Sequence, residues 1–487
     1  MNTNILIAIL FLFTFSSCVN DSKNKSPNII FILVDDLGWK DLGYSGSTFY
    51  ETPNIDKLRN ESYEFTSAYA ASSVCSPTRA SIMTGKHPAR VNITDWIPGD
   101  DPQNRPFLGP KDLHQLPLEE VTIAEKLKNY GYTTFYSGKW HLGSEGYYPE
   151  QNGFDINIGG FEKGSPPGGY YTPYKNPKLS DGPEGEYLTD RLTSESIKFI
   201  ENNKQDNPFA LFLAFYTVHT PIQANKKHVS YFENKLNKLD DNIARTKQEG
   251  KAITLLNQVN PDYASMVYAL DENIGRLIKS LKENNYYDDA LIIFTSDNGG
   301  LSTLRRVAPT SVSPLRAGKG WLYEGGIRIP QLIKMPGNNK NIKIYEPTVS
   351  YDLFPTILEF AGIENTNQEI DGISLIPHLK TGAELNRKDI FWHFPHYHTS
   401  QWKPGGAIRQ GDWKLVEHYE SNKVELFNLK DEDHLIKVIE LNKSHLACVN
   451  SEAKLLIFET KNLPDAIKWH CSYYWSHALN KNQIKNS

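Results

Sequence analysis

Four apolar, β-rich runs separated by helical patterns constrain the fold of this 487-residue chain more than any other feature. The runs are residues 28–34, 133–136, 209–215 and 291–295, and the helical patterns are 122–129, 188–200 and 264–282. Continuously apolar runs are typical of strands that are covered on both faces, as in a parallel sheet. The alternation predicts an α/β domain with a mostly parallel central sheet sandwiched by helices.

Composition excludes several other classes of protein. The chain has 52 Lys and Arg against 57 Asp and Glu, which gives a net charge of −5, and it lacks a basic block. A nucleic-acid partner is therefore not expected, because such binding draws on phosphate neutralisation. Ordinary Gly and Pro contents exclude collagen-like and wholly disordered chains. The length allows one large domain and a smaller one, or about three average domains.

The pattern changes near residue 388 to short segments with alternating and aromatic character. These segments are residues 390–394, 407–410, 413–417 and 424–428, with a tight turn at Gly411-Asp412. They predict a smaller C-terminal subdomain with an antiparallel sheet. We expect a catalytic domain at 27–387 and this subdomain at 388–487.

The N-terminus predicts export. Residues 5–15 are apolar except for Thr14, and this run is too short to span a bilayer, which takes about 20 helical residues. Ser16 and Ser17 precede Cys18, and a polar segment follows. The order predicts a signal peptide at 1–17 and a lipidated tether at 18–26 that begins with Cys18. A plain cleaved signal with a buried Cys, or an uncleaved segment, are the alternatives.

Two of the predicted strands are followed by polar side chains. Asp35-Asp36 come after the first run, and Asp297-Asn298 come shortly after the fourth. Ligands of parallel sheets bind beyond the carboxyl ends of the strands. A single Asp there is usually a turn or a helix cap, but three carboxylates and an amide at two strand ends indicate a site.

Cys75 opens a second candidate segment, which runs to Gly85. Pro77 suits the first turn of a helix and Gly85 suits its end, so Cys75 is expected at a helix N-terminus with Arg79 one turn later. Both the helix dipole and Arg79 favour an anion there. A lone Cys is more often a small buried apolar residue. With Cys18 set aside, Cys448 and Cys471 could bridge each other, which leaves Cys75 unpaired.

At these residues the sequence resembles the formylglycine-dependent sulfatases of the alkaline-phosphatase-like superfamily. The family signature is present as CSPTR at 75–79 and continues through TG at 84–85. Further matching segments occur in the family's order: DDLG at 35–38, TPNID at 52–56, GKWHLG at 138–143, VHTP at 218–221, TSDNG at 295–299 and GKG at 318–320. Together they cover the chain from about residue 27 to 429.

The resemblance implies two cofactors. A maturation enzyme would oxidise Cys75 to formylglycine (3-oxoalanine), whose hydrated aldehyde supplies the nucleophile. Asp35, Asp36, Asp297 and Asn298, with residue 75, would hold a divalent cation. Oxygen donors of this kind favour Ca²⁺ over Mg²⁺ and disfavour zinc.

The resemblance also implies roles for the remaining site residues. Lys139 and Lys319 would flank the sulfate, and Arg79 would hold the formylglycine oxygen. His219 would protonate the departing alcohol. His141 would accept the proton of the second hydroxyl when sulfate is released, and Asp297 would take the first diol proton.

The expected substrate is a sulfated polysaccharide or its oligosaccharides, such as ulvan or carrageenan. Similar sulfatases belong to bacterial glycan-degrading systems, so we expect an enzyme anchored by lipid to a bacterial membrane, in the periplasm or at the cell surface. Candidate specificity residues are Trp96, Asp100, Asp101, Arg105, His114, Arg305, Arg306, His396, His398, Trp402 and Arg409. A second metal at His393, His396 and His398 is disfavoured because no Cys or acidic pair lies nearby.

Two rival functions remain open from the sequence. One is a phosphonate or phosphate ester hydrolase on the same scaffold. The other is a surface glycan-binding lipoprotein without catalysis, although every expected catalytic position is filled.

Overall fold

The computed structural model describes residues 26–100, 102–203, 207–364, 369–421 and 423–430, and the backbone of three short strands beyond them. The strands are β1 (Ile29–Val34), β2 (Tyr63–Phe65), β3 (Ala68–Tyr69), β4 (Thr133–Gly138), β5 (Ile156–Ile158), β6 (Phe209–Ala214), β7 (Thr246–Glu249), β8 (Ala252–Leu255), β9 (Leu291–Ser296), β10 (Thr303–Leu304), β11 (Gln331–Lys334), β12 (Ile342–Ile344), β13 (Thr348–Val349), β14 (Asp389–Phe394), β15 (Gly405–Gln410), β16 (Trp413–His418), β17 (Lys423–Asn428), β18 (Ile439–Leu441), β19 (Ala447–Val449) and β20 (Lys454–Leu456). The α-helices are α1 (Pro53–Asn60), α2 (Cys75–Thr84), α3 (Pro88–Val91), α4 (Ile123–Asn129), α5 (Leu188–Asn202), α6 (Val229–Leu236), α7 (Pro261–Glu283), α8 (Glu324–Ile327), α9 (Leu353–Phe360) and α10 (Ile376–Thr381).

The central sheet has the strand order β12-β2-β11-β9-β1-β6-β4-β5. The five neighbouring strands from β9 to β5 are parallel, whereas β11 runs antiparallel to β9. The prediction of an α/β fold with a mostly parallel sheet is confirmed.

Strand β1 supplies side chains to a hydrophobic core on each face of this sheet. Ile30, Ile32 and Val34 pack with the helices α5 and α7 on one face. The alternate side chains of β1 pack with α2, α4 and α9 on the other face. Successive side chains of a strand point to opposite faces, so a strand covered on both sides must be apolar throughout. Each fully buried aliphatic side chain contributes about 1.5–3 kcal/mol to stability.

The C-terminal sheet is antiparallel, with the order β14-β15-β16-β17-β18. A third core joins it to the first domain through aromatic side chains that include Trp321, Trp392 and Trp402. The Trp392 indole also donates to the carbonyl of Ala70 at 2.8 Å. The predicted antiparallel C-terminal subdomain is confirmed as an architecture, and its boundary at residue 388 stays a prediction.

Local signals in the sequence explain where the helices begin and end. The predicted helix at 122–129 is α4, in which Thr122 and Glu125 form a capping box. The predicted helix at 264–282 begins earlier, at Pro261, because the Asn260 side chain accepts from two backbone N–H groups of the first turn. Helix α2 ends at Gly85, whose φ of 71° lies in the left-handed region that favours glycine.

Several N- and C-terminal predictions lie outside the described residues. These are the signal peptide, the tether with Cys18, and Cys471; Cys448 lies in β19, of which the backbone alone is described. Among the described residues, Cys75 is a free, buried thiol. No helix in the described ranges has the length and apolar character needed to cross a bilayer.

Candidate active site

The ends of the central strands bring the predicted metal-binding residues together. Val34 pairs with Ser296 at the ends of the parallel strands β1 and β9, so Asp35-Asp36 and Asp297-Asn298 leave the sheet side by side. The backbone N–H of Asp36 donates to Asp297 Oδ1 at 3.2 Å. All four side chains are buried. The arrangement follows from the topology, because parallel strands present their carboxyl ends at one edge.

Cys75 is the first residue of α2 and lies beside the segments that carry Asp35 and Asp297. Its Sγ and one carboxylate oxygen each of Asp35 and Asp297 lie within 4.8 Å of one another. Arg79 follows one helical turn later and is also buried. The surroundings of Cys75 are therefore charged and polar, unlike those of a thiol packed in an apolar core.

His141 is held as a neutral imidazole that faces residue 75. Its Nε2 lies 2.5 Å from the carbonyl oxygen of Ile97, which can only accept, so Nε2 carries the hydrogen. Its Nδ1 is then an acceptor, and it lies 3.3 Å from Cys75 Sγ. Burial, reinforced by Lys139, holds the pKa of His141 well below its usual range. His141 can thus take a proton from residue 75.

Three cations pair with the three carboxylates. Arg79 Nε donates to Asp297 Oδ2 at 2.8 Å, Lys139 Nζ lies 2.7 Å from Asp35 Oδ2, and Lys319 Nζ lies 2.5 Å from Asp36 Oδ1. Burial favours the neutral form of Asp36, but Lys319 and His219 lower its pKa below the usual range. Burial opposes the charge of Asp297 in the same way, and the nearby Arg79 and Lys139 lower its pKa.

The residues present fit a divalent cation. Within the described part of the chain, Asp35 Oδ1 and Asn298 Oδ1 are buried oxygens that accept no hydrogen bond. A buried acceptor without a partner costs about 1–3 kcal/mol, which a bound cation would offset. Burial raises the pKa of Asp35 well above its usual range; Lys139 opposes this shift, and Asp297 and Asp36 add to it. Carboxylate and amide oxygens are donors that Ca²⁺ and Mg²⁺ accept.

His219 stands beside Asp36 with its other nitrogen fixed. Nδ1 lies 2.7 Å from the carbonyl oxygen of Thr220 and therefore carries the hydrogen, which leaves Nε2 3.8 Å from Asp36 Oδ2. The hydroxyl of Tyr170 donates to the carbonyls of Tyr216 and His219, which holds this turn in place. Burial and the neighbouring Lys319 lower the pKa of His219 to about 3.

A cleft of about 910 Å³ opens over these groups. Its volume lies in the range of ligand-binding clefts. Its lining includes five catalytic or metal-binding candidates and five specificity candidates, namely Asp36, Cys75, His141, His219, Lys319, Trp96, His114, Arg305, Arg306 and His398.

His398 brings the C-terminal subdomain into the cleft. The backbone N–H of Ser400 donates to its Nδ1 at 3.2 Å, so Nε2 carries the hydrogen of the neutral ring. Burial and then Lys319 lower the pKa of His398 to about 3. Gly320 allows this approach, because it has a φ of +82° and a Cβ there would lie 2.1 Å from His398 Nδ1. His398 can donate a hydrogen bond to a ligand.

Other specificity candidates among the described residues do not line the cleft, which corrects the prediction for them, whereas the prediction for Asp101 stays untested. His396 is buried with its Nε2 2.8 Å from Thr94 Oγ1, and Trp402 packs 5.7 Å from Trp321. Arg409 lies over the Tyr69 ring at 5.2 Å. Arg105 is likewise over Tyr397 at 5.3 Å, Asp100 is not among the lining residues, and Asp101 lies outside the described residues. For His396, Trp402 and Arg409, packing of the C-terminal subdomain keeps the side chain away from the cleft.

Sequence reasoning missed several groups at the site. The Ile97 carbonyl sets the tautomer of His141, but a backbone carbonyl leaves no signal in the sequence. The sequence also contains no signal for further lining residues, namely Gln115, Glu162, Lys163, Ser165, Leu301, Leu304 and Thr399.

Comparison with known proteins gives matches over most of the chain. The model of the Sulfatase family matches residues 27–363, and that of the N-sulphoglucosamine sulphohydrolase C-terminal region matches residues 317–460. A sulfatase of Formosa agariphila is 29% identical over 86% of this chain and 85% of its own length. Human arylsulfatase A is 30% identical over 80% of this chain and 74% of its own length.

Solved structures resemble this chain over most of its length. The crystal structure of Ps i-CgsB in complex with k-i-k-neocarrahexaose matches with a TM-score of 0.68 and 29% identity. The match covers 85% of this chain and 89% of that chain.

Proposed function

The chain belongs to the sulfatase family of the alkaline-phosphatase-like fold and is a sulfuric ester hydrolase, and from this membership we propose that its substrate is a sulfated polysaccharide or its oligosaccharides. We further propose that residue 75 acts as formylglycine and that the acidic cluster holds Ca²⁺. One observation carries the proposal: Cys75 lines the cleft, and its Sγ lies within 4.8 Å of carboxylate oxygens of Asp35 and Asp297, which are themselves paired with Lys139 and Arg79.

The two cofactors would supply chemistry that the encoded side chains lack. A hydrated aldehyde at residue 75 offers one hydroxyl to attack sulfur and a second whose proton loss releases sulfate. Ca²⁺ held by Asp35, Asp36, Asp297 and Asn298 would polarise oxygen and neutralise charge. In the structure, Sγ of Cys75 stands where an oxygen of the modified residue would lie.

The chain's own residues then position and transfer protons. His141 Nδ1 is a free acceptor directed at residue 75, so it can receive the proton of a hydroxyl there. Arg79 keeps Asp297 ionised, and Asp297 can take a proton from residue 75 in turn. Lys139 and Lys319 place positive charge where the sulfate develops negative charge.

His219 is the proposed donor to the leaving alcohol. In the structure its ring is neutral, because burial and Lys319 lower its pKa to about 3. A sulfate between Lys319 and His219 would bring negative charge to the ring and raise that pKa. The proton would therefore be taken up with the substrate, as general acid catalysis requires.

The carbohydrate substrate is supported by a structural neighbour and by the cleft. Ps i-CgsB was crystallised with a neocarrahexaose, and carrageenan-type and ulvan-type glycans are candidates for this chain. The cleft combines the indole of Trp96 with cationic and hydrogen-bonding groups, a combination that suits a sulfated sugar.

Turnover of paired aryl substrates tests the reaction. We expect the protein, produced with a formylglycine-forming enzyme, to hydrolyse 4-nitrophenyl sulfate faster than a 4-nitrophenyl phosphonate. Replacement of the nucleophile should cost on the order of 10³-fold or more, so Cys75→Ala should be inactive while remaining folded. Faster phosphonate turnover would favour the rival hydrolase. An unmodified Cys75 peptide in the native host, with glycan binding and no turnover, would favour the binding protein.

We also propose export and a lipid anchor on Cys18. Support comes from the apolar run at 5–15 and the small residues before Cys18. Mass spectrometry of the mature N-terminus should find a diacylated Cys18, and Cys18→Ser should shift the protein from the membrane to the soluble exported fraction. A mature N-terminus that starts elsewhere contradicts the anchor.

A further inference from the structure

We infer that Arg305 and Arg306 form a subsite for a second anionic group on the sugar, so that the preferred substrates carry at least two anionic groups. This inference rests on the proposed function. The second group is a sulfate or a uronate carboxylate, both of which accept paired hydrogen bonds from a guanidinium.

The first support is the balance of charge in the cleft. Lys319 is paired with Asp36 at 2.5 Å, and Lys163 is paired with Glu162 at 2.8 Å. Arg305 and Arg306 line the same cleft, and within the described part of the chain neither forms an ion pair. Among the described residues, these two positive charges of the cleft therefore have no carboxylate partner.

The second support is the platform that holds the two arginines. They follow β10, which pairs antiparallel with β8 through Thr303 opposite Thr254 and Leu304 opposite Ile253. The hydroxyls of Thr254 and Thr303 are 2.8 Å apart and buried. The small sheet β10-β8-β7 thus fixes the chain up to the residue before the arginine pair. Sites carried on paired strands are positioned more accurately than sites on free loops.

The third support is the separation of tasks in the cleft. Lys139 and Lys319 are bound to the carboxylates beside residue 75, so they belong to the reacting sulfate. Arg305 and Arg306 contact none of these carboxylates. They are specificity residues, whose loss should weaken binding of the sugar and leave the chemistry of the reacting sulfate intact.

The test uses the formylglycine-containing protein and three galactose disaccharides as inhibitors of 4-nitrophenyl sulfate turnover. One disaccharide carries a single sulfate, one carries two sulfates, and one carries a sulfate and a uronate. Arg305→Gln with Arg306→Gln should raise the inhibition constant of a doubly anionic probe about 10- to 100-fold, the scale of charge-assisted hydrogen bonds. The singly sulfated probe should change less than about threefold. Of the two doubly anionic probes, the one whose inhibition constant rises more in the double variant shows whether the second group is a sulfate or a uronate.

The control is the double variant Arg245→Gln with Lys247→Gln, which also removes two positive charges, here from exposed side chains just before and within β7. It should leave all three inhibition constants unchanged. The inference is overturned if the wild type binds singly and doubly anionic probes with equal affinity. It is also overturned if the Arg305→Gln, Arg306→Gln variant loses the same affinity for all three probes. Calorimetry with the same probes separates the two claims: selective binding without turnover contradicts the proposed function and supports the subsite.

Discussion

Two of the buried clusters of charged side chains in the described part of the chain are satisfied in different ways. The active-site cluster consists of Asp35, Asp36, Asp297, Arg79, Lys139 and Lys319. The junction cluster, between the first domain and the C-terminal sheet, consists of Glu324, Lys414, Arg328, Arg409 and Tyr69. Both lie at positions where charged groups are costly unless they are paired.

The junction cluster is closed on itself. Lys414 Nζ lies 2.8 Å from Glu324 Oε1, and the Tyr69 hydroxyl donates to Glu324 Oε2 at 2.8 Å. Arg409 contacts the same hydroxyl. Among the described residues, no polar side-chain atom of this cluster is buried without a partner. By contrast, Asp35 Oδ1 in the active-site cluster and the adjoining Asn298 Oδ1 accept nothing.

The difference teaches how to distinguish a structural charge cluster from a functional one. In a closed network every polar group has a partner within the protein. Such a network stabilises the contact between the first domain and the C-terminal sheet, and it has no group left to bind a ligand. An open network retains acceptors that the protein does not satisfy, which is the expected sign of a site completed by a bound group.

Removal of divalent cations should produce the largest contrast between the clusters. Chelation should lower sulfate ester turnover by 10²-fold or more, since the second hydroxyl and the sulfate lose their charge partner. Added Ca²⁺ at about 100 times its Kd should raise the unfolding free energy by about 2.7 kcal/mol. Differential scanning calorimetry of the chelated and reloaded protein measures this shift.

Variants then show which of the two clusters binds the Ca²⁺ that raises the unfolding free energy. Asp297→Asn and Asn298→Ala should each reduce the Ca²⁺-dependent shift, while Glu324→Gln should retain it in full. A shift that survives both active-site changes would place the cation elsewhere.

Opening the junction cluster should lower the unfolding free energy and leave turnover unchanged. Glu324→Gln leaves Lys414, which is 1% exposed, without a counter-charge. Breaking a buried pair costs about 3–5 kcal/mol. Urea unfolding should report this loss, while turnover at low temperature stays near that of the wild type. The double variant Glu324→Gln with Lys414→Met should recover much of the loss, because it removes the orphaned charge.

The two clusters also show what a sequence can predict. The active-site members were found because they follow strands at one sheet edge or lie in ordered motifs such as 75–79 and 318–320. The helix at Cys75 was found from Pro77 and Gly85. The junction cluster was missed: Glu324 and Lys414 are 90 residues apart, and nothing local marks either as buried.

The same reason explains the error on Arg409. An Arg or His in an alternating segment can face a cleft or the opposite face of its sheet, and strand register decides which. Arg409 pairs with Ile390 in the C-terminal sheet, and its side chain packs on Tyr69 of the first domain. Pairing of distant strands fixes that choice, so a single strand's sequence does not reveal it.

The pH dependence of the junction cluster should be smaller and restricted to acid. Burial opposes the charge of Glu324, but Lys414 and Arg328 lower its pKa from 4.5 to about 2. A pKa lowered by folding contributes stability that is full above the unfolded value and is lost as pH falls through the folded one. The difference in unfolding free energy between wild type and Glu324→Gln should therefore be constant above about pH 5.5 and shrink between about pH 4.5 and 2. Urea titrations at stepped pH measure it, and a difference that grows in acid contradicts the assignment.

The smallest effect on the unfolding free energy is expected from an exposed ion pair, which serves as a reference for the buried junction cluster. Lys279 and Glu283 lie 3.6 Å apart on the outer face of α7, with side chains 74% and 61% exposed. Water and salt screen such a pair, so Glu283→Gln should cost about 0.3–0.5 kcal/mol and less at high ionic strength. The same change of Glu to Gln at position 324 should cost several times more and respond little to salt. If urea unfolding gave equal losses at the two positions, burial would not be what gives the junction cluster its stability, and the contrast between closed and open clusters would lose its energetic basis.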